Sequence, residues 1–212
     1  MWRPGLAFFV FAAFVPTCLA AEPQRALAAG GWSAPVADNR GYAVRGRLVI
    51  AEKPAAGDLR ETVIFVELQE ATGFIGESLG LFCDLGRVDY RDEAKIGLDC
   101  ELRDRDKRPV KSMPFPFGGS VPKSEWVTLP PDAAIRLRAT PFGLRRAKAF
   151  ALCPHLGKLW VLAENDPNEY YLSGKIDVDP PVDRTPPDKE HVWRGTIPFP
   201  AVKLVPSRLG GE

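Results

Sequence analysis

A serine set between two glycines, Gly76-Glu77-Ser78-Leu79-Gly80, fits the G-x-S-x-G pattern of a nucleophile elbow. In that motif a sharp strand-to-helix turn exposes the hydroxyl for acyl transfer. A later aspartate and His191 would complete the required chain order. The surroundings argue the other way. An elbow needs a buried parallel strand before it and a helix after it, within alternating β and α units, whereas 70–73 is a poor strand and β-type segments with prolines dominate downstream. The expectation is a Gly-Ser turn between strands and no catalysis, with a serine hydrolase kept as an alternative.

Metal and cofactor chemistry have less support. The only histidines, His155 and His191, do not form a pair at zinc spacing. The acidic run Glu164, Asp166, Glu169, Asp177, Asp179, Asp183 and Asp188 has carboxylates suited to calcium, but lacks the ordered glycine and acid spacing of a calcium loop. No metal and no cofactor is expected. Whether the 164–190 segment binds calcium stays open.

Two stretches have the residue types of a binding surface. Between Ala133 and Ala163 stand Arg136, Arg138, Arg145, Arg146, Lys148 and Lys158 with no acidic residue among them. They read either as a face for an anionic glycan, lipid head group or other polyanion, or as exposed strand positions whose charges pair with the acidic run that follows. The candidate anion-binding face is Arg136, Arg138, Arg145, Arg146 and Lys148. The second stretch, 111–124, is irregular and contains Met113, Phe115 and Phe117 separated by prolines. It suits either an extended loop presented to a protease or other protein, or a flap whose phenylalanines fold back over core. Nucleic acid is not expected: the net charge is +1, and the aromatics do not interleave with the basic residues as a stacking platform requires.

The elements that must position these residues begin with a segment expected to be removed. Arg3, an apolar run from Leu6 to Val15 and small residues at Ala20-Ala21 predict a secretory signal peptide over 1–20. The run is too short to span a bilayer, which takes about 20 apolar residues. A lipid anchor at Cys18 is disfavoured by Val15-Pro16-Thr17 before it. Export then predicts a secreted, periplasmic or envelope location. Some 190 residues remain, enough for one domain that buries roughly 70% of its unfolded surface. The Ala-, Gly- and Pro-rich stretch 21–40 predicts a flexible lead-in, 41–206 the domain and 207–212 a tail.

Short runs of alternating or β-branched residues recur through 41–206, among them 42–50, 62–68, 79–83, 96–102, 170–178 and 191–197. The 21 prolines and 19 glycines favour many turns and short elements over long helices. The fold class is therefore all-β: a single immunoglobulin-like β-sandwich of about eight or nine short strands. Val63 and Phe65, or Ile64 and Val66 on the opposite face, are expected in its core with Leu98, Leu102, Tyr171, Leu172 and Trp193.

The turn Asp166-Pro167-Asn168-Glu169 leading into Tyr170-Tyr171-Leu172 resembles the tyrosine corner of immunoglobulin-like sandwiches, without the cysteine that follows in antibody domains. The succession of a 62–68 strand, a strand ending in Asp104, a Trp126 hairpin with Pro130-Pro131 and a closing Trp193-Arg194-Gly195 strand is similar to small secreted bacterial immunoglobulin-like modules of unknown role. That resemblance implies a sandwich over most of 41–206 and brings no catalytic residues.

Removal of Cys18 leaves Cys83, Cys100 and Cys153, an odd set in an oxidising compartment. The Cys83–Cys100 pair is the expected bridge if their strands are antiparallel neighbours; three separately buried thiols are the alternative. The functional expectation is a secreted or envelope-associated binding or structural module without catalysis. Its partner is an unknown protein or a polyanionic surface ligand, and no transmembrane segment is foreseen.

Overall fold

The computed structural model of the chain describes residues 25–54, 59–72, 78–83, 98–114, 125–131, 133–139, 144–155, 158–179 and 191–209. The expected signal peptide lies outside the described residues, as do Phe115, Phe117, Asp183 and Asp188. The chain is an all-β sandwich, as its alternation predicts. No helix among the described residues is long and apolar enough to cross a membrane.

One layer is built on a long hairpin. Strand β1 (Arg25–Ala29) and the short β2 (Val36–Ala37) both run antiparallel to β3 (Ala43–Pro54), whose other edge pairs with β4 (Leu59–Glu70). The β3–β4 register is unbroken from Val44↔Glu70 to Pro54↔Arg60. Valine, isoleucine, leucine and phenylalanine fill its middle, the residue types that pack well on a pleated surface.

The other strands divide between a second layer and an end piece. A short sheet is formed by β5 (Leu79–Cys83) and β7 (Glu125–Leu129), while β6 (Leu98–Asp104) belongs elsewhere. The far edge of β4 is covered end to end by β8 (Ala134–Arg138) and β9 (Leu144–Ala147). Strands β10 (Ala149–His155) and β11 (Lys158–Ala163) make an antiparallel pair. The central strand β12 (Tyr170–Val178) lies between β6 and β14 (Gly195–Leu204), and the two-residue β13 (His191–Val192) runs parallel to β5. A single helical turn, α1 (Pro206–Leu209), closes the described chain.

After β6 the chain reverses and returns along it, with the Val110 N–H donating to the Leu102 carbonyl at 2.8 Å. It then meets β11, where the Met113 N–H donates to the Leu159 carbonyl at 2.8 Å. The 109–113 stretch thus stitches β14-β12-β6 to β11-β10 and makes one broad layer of them.

The core lies between these layers. Val44, Leu48, Ile50, Ile64, Val66 and Leu68 from β3 and β4 meet Leu98, Leu102, Leu172, Ile176, Ile197 and Phe199 in one cluster that also holds Trp193. Gly46 sets the spacing: a Cβ there would lie 2.5 Å from Phe199 Cε1, so only glycine lets β14 approach β3 this closely. Both faces of the 62–68 run are buried, since Val49, Ala51, Val63 and Phe65 form a second cluster on the reverse side of β3 and β4.

Several expectations need correction. The stretch 25–37, read as part of a flexible lead-in, lies along β3: β1 and β2 pair with it, and between them Gly30 N–H reaches the Leu48 carbonyl and Ser33 N–H the Gly46 carbonyl. A composition of small residues hides such a strand, because the pairing rests on backbone groups. Tyr171 is only half-buried; its neighbour Leu172 takes the inward position, and the Tyr171 hydroxyl donates to Glu169 at 3.0 Å. The Cys83–Cys100 bridge is not formed. Cys83 is on β5, whose partners are β7 and β13, and Cys100 is on β6, beside β12, so the strands are not antiparallel neighbours.

Candidate functional site

The alternation of β3, β4 and β8 separates an inward apolar set from an outward charged one. On β3 the outward positions include Arg45 and Arg47; on β4, Glu61, Phe65, Glu67 and Gln69; on β8, Arg136 and Arg138. Register aligns Arg47, Glu67 and Arg136 in one row across the three strands. Glu67 is the hinge of that row. Its Oε2 accepts from Arg47 Nε at 2.6 Å and its Oε1 from Arg136 Nε at 2.7 Å.

Burial alone would raise the pKa of Glu67, whose side chain is 7% exposed. The hydrogen bonds and charges of Arg136 and Arg47 outweigh it and hold the carboxyl below its ordinary range. The arginines keep one side to solvent, with side-chain exposures of 31% for Arg47 and 49% for Arg136. Arg45 gives Nε and Nη2 to the amide oxygen of Gln69, at 3.1 and 2.8 Å. Two guanidiniums therefore share the Glu67 carboxylate, and a third beside them is held by an uncharged amide. Arg138 is hydrogen-bonded to Glu61 at 3.2 Å.

Trp32 completes the face. It stands in the 30–35 connection between β1 and β2, with its ring centroid 5.2 Å from the Arg45 guanidinium carbon and 4.6 Å from that of Arg47. Arg136 lies 5.4 Å from the centroid of Phe65 in the same manner. These cation–π distances hold the guanidiniums in place without neutralising them.

Of the five basic residues proposed for an anion-binding face, the structure brings Arg136 and Arg138 onto this surface. Arg145 and Arg146 are on β9, opposite Glu61 and Arg60 of the same β4. Lys148 sits apart, at the corner from β9 to β10 with φ 53, and its carbonyl accepts from the Glu164 N–H. Three residues of the acidic run weighed as partners for these basic residues are hydrogen-bonded elsewhere. Glu169 accepts from Lys203, Asp179 from Arg194 and Asp166 from Tyr170. Sequence reading missed Trp32, Arg45 and Arg47. The alternation of arginines with Val44, Gly46 and Leu48 is visible in the sequence, but the position of Trp32 is not.

The bond that defines a tyrosine corner is not made by Tyr170. The Tyr170 hydroxyl donates to the Asp166 carboxylate at 2.7 Å, four residues upstream, rather than to a backbone carbonyl. Met113 in the proposed interaction loop is 46% exposed, and its backbone pairs with Leu159. Among the described residues there is no cluster of three or more His, Cys, Asp or Glu side chains arranged to hold a metal ion.

Ser78 directly precedes β5, and β13 sets His191 beside Leu79 in parallel register. His191 Nε2 lies 2.6 Å from Asp38 Oδ2, and Nδ1 lies 3.0 Å from Arg40 Nη1. Arginine only donates, so Nδ1 accepts and Nε2 carries the proton shared with Asp38. Both nitrogens are engaged, and neither is left for Ser78. Tyr42 stacks on the imidazole at 4.1 Å, and Trp193 Nε1 donates to the Tyr42 carbonyl at 2.9 Å. These contacts dock the 38–42 turn against β13.

Fold and surface together define the class: a β-sandwich with an arginine-rich, aromatic-lined sheet face. No family model, curated protein or solved structure matches the chain.

Proposed function

We propose that this chain is an exported, non-catalytic β-sandwich module, of immunoglobulin-like kind, that binds an anionic surface ligand through the outer face of β3, β4 and β8. The carrying observation is the charge balance of one row and its neighbour: Arg47 and Arg136 share the single carboxylate of Glu67, while Arg45 beside them is held by the uncharged amide of Gln69. Guanidiniums preset by hydrogen bonds and aromatic contacts lose little side-chain freedom on meeting a carboxylate, sulfate or phosphate. The signal-peptide pattern of 1–20 supports an extracytoplasmic setting, where acidic surface polymers and head groups are the abundant anions.

The test is retention of the purified mature protein on immobilised dextran sulfate and on phosphatidylglycerol vesicles over a range of salt. Salt-sensitive retention, lost when Arg45, Arg47 and Arg136 are together replaced by glutamine, is the expected result. Failure to bind any polyanion at low salt overturns the proposal. N-terminal sequencing of the exported product checks the address: the expected first residue is near Ala21, and a retained Met1 argues against export.

A further inference from the structure

The arrangement of the arginine face identifies a narrower ligand class, and this step rests on the anionic-ligand reading above. Along each strand, side chains two residues apart on one face are separated by about 7 Å, and β8 lies two strand spacings, about 9.6 Å, from β3. Because β3 and β8 both run antiparallel to β4, they point the same way. Arg45 therefore lies one step below the shared row, Arg47 and Arg136 lie within it, and Arg138 lies one step above. The four form a diagonal band across the strands. Trp32 marks the end nearest Arg45 and Arg47, half-buried, with part of its ring open to solvent.

A line of cations ending at an indole has a specific chemical complement. A single small anion fills one step of the band and leaves the rest unused. A membrane surface presents a sheet of charge, and peripheral proteins usually add an apolar anchor; the large exposed apolar residue among those described, Met113, is on the 109–113 stretch in the other layer. A single-stranded nucleic acid calls for aromatic side chains at successive base positions, whereas the open aromatic here is at one end. A linear acidic polysaccharide matches each feature. Its repeated carboxylates or sulfates follow the guanidiniums, and the C–H face of one sugar ring stacks on Trp32.

We infer that the outer face of β3, β4 and β8 is a binding surface for a linear acidic polysaccharide, with Trp32 as the stacking platform for one sugar and Arg45, Arg47 and Arg136 as the anion contacts. Trp32 gives the ring contact, and the arginines give the charge and set the direction of the chain. Glu67 positions two of the three, holding Arg47 through Nε and Arg136 through Nε and Nη2, while both side chains stay partly open to solvent.

The experiment measures binding of the mature protein to heparin oligosaccharides of increasing length and to polygalacturonate, with phosphatidylglycerol vesicles and inorganic sulfate as competitors. Affinity is expected to rise at least roughly ten-fold from a disaccharide to a chain that spans the band, each ten-fold corresponding to about 1.4 kcal/mol. Replacing Arg45 and Arg47 together by glutamine should lower affinity at least roughly ten-fold and flatten the salt dependence by nearly two released counterions. Replacement of Trp32 separates stacking from charge. Trp32→Leu keeps bulk but removes the aromatic face, and should weaken binding roughly ten-fold with an unchanged salt slope, whereas Trp32→Phe should retain most of it.

Melting midpoints identify any variant that has lost its fold, and the Phe and Leu pair then decides between them. Length-independent binding, equal binding by Trp32→Leu and the parent, or stronger competition by vesicles than by polysaccharide overturns the inference while leaving anion binding intact. Absence of binding to every anion overturns both it and the function on which it rests.

Discussion

Asp38 holds His191 through a 2.6 Å contact from Oδ2 to Nε2, and its other oxygen accepts the backbone N–H groups of Arg40 and Tyr42 at 2.9 and 3.0 Å. One carboxylate thus shapes its own turn and ties that turn to β13, 153 residues further along the chain. Its side chain is 3% exposed, so water does not replace a lost bond easily.

Replacing Asp38 by alanine should destabilise the protein by about 1–3 kcal/mol, because two N–H groups and an imidazole lose their acceptor. Burial raises the pKa of this carboxyl, but the His191 and backbone hydrogen bonds together bring it below the ordinary value. A carboxyl with a folded-state pKa below its unfolded one stabilises the fold at pH values above the unfolded pKa, near 3.8. That contribution is lost as pH falls through the folded pKa. Denaturant melts of parent and Asp38→Asn between neutral and strongly acid pH should therefore converge at the acid end.

Glu67→Gln is expected to cost about 1–3 kcal/mol, since it leaves Arg47 and Arg136 beside each other with no anion between them. Glu67 is also held below its usual pKa, so its contribution has the same sign as that of Asp38: present above the unfolded pKa and lost on acidification. High salt should narrow the gap between variant and parent, and salt-dependent denaturation curves measure this.

Gly46→Ala places a methyl 2.5 Å from Phe199 Cε1 and 3.1 Å from Ile197 Cγ2. Overpacking between β3 and β14 should destabilise by about 1–3 kcal/mol. The companion change Phe199→Leu should recover part of the loss. A double-mutant cycle with simple additivity would show that the strain is relieved elsewhere.

The buried thiols should react only when the fold opens. Burial pushes the Cys100 thiol up to about 12 and the Cys153 thiol up to about 11, so neither forms thiolate near neutral pH. Alkylation of the native, unreduced protein should be slow at both. In denaturant without reductant, Cys83, Cys100 and Cys153 should all label, and a cross-linked Cys83–Cys100 peptide in the digest is the contrary result.

Local pattern made the all-β class legible, because alternation along 62–68 and 98–102 is a property of neighbours in the chain and needs no partner to be seen. Leu98, Leu102 and Leu172 announced themselves as core in this way. So did the cationic character of the 136–138 segment. Burial of both faces of the 62–68 run could not be read, since what covers Val63 and Phe65 comes from outside β4. The partners of Arg136 and Arg138 were misplaced for a related reason. Charge pairing across strands depends on register, which set Glu67 of β4 opposite Arg136 and Phe65 opposite Arg138, so that Arg138 reaches along β4 to Glu61 in place of the acidic residues next in sequence. Strand neighbourhood also decided the fate of the cysteines, by putting Cys83 and Cys100 in separate sheets. The placement of Trp32 belongs wholly to the tertiary structure. Backbone hydrogen bonds from 25–37 to β3 bring the indole over Arg45 and Arg47, and backbone pairing leaves little trace in side-chain composition.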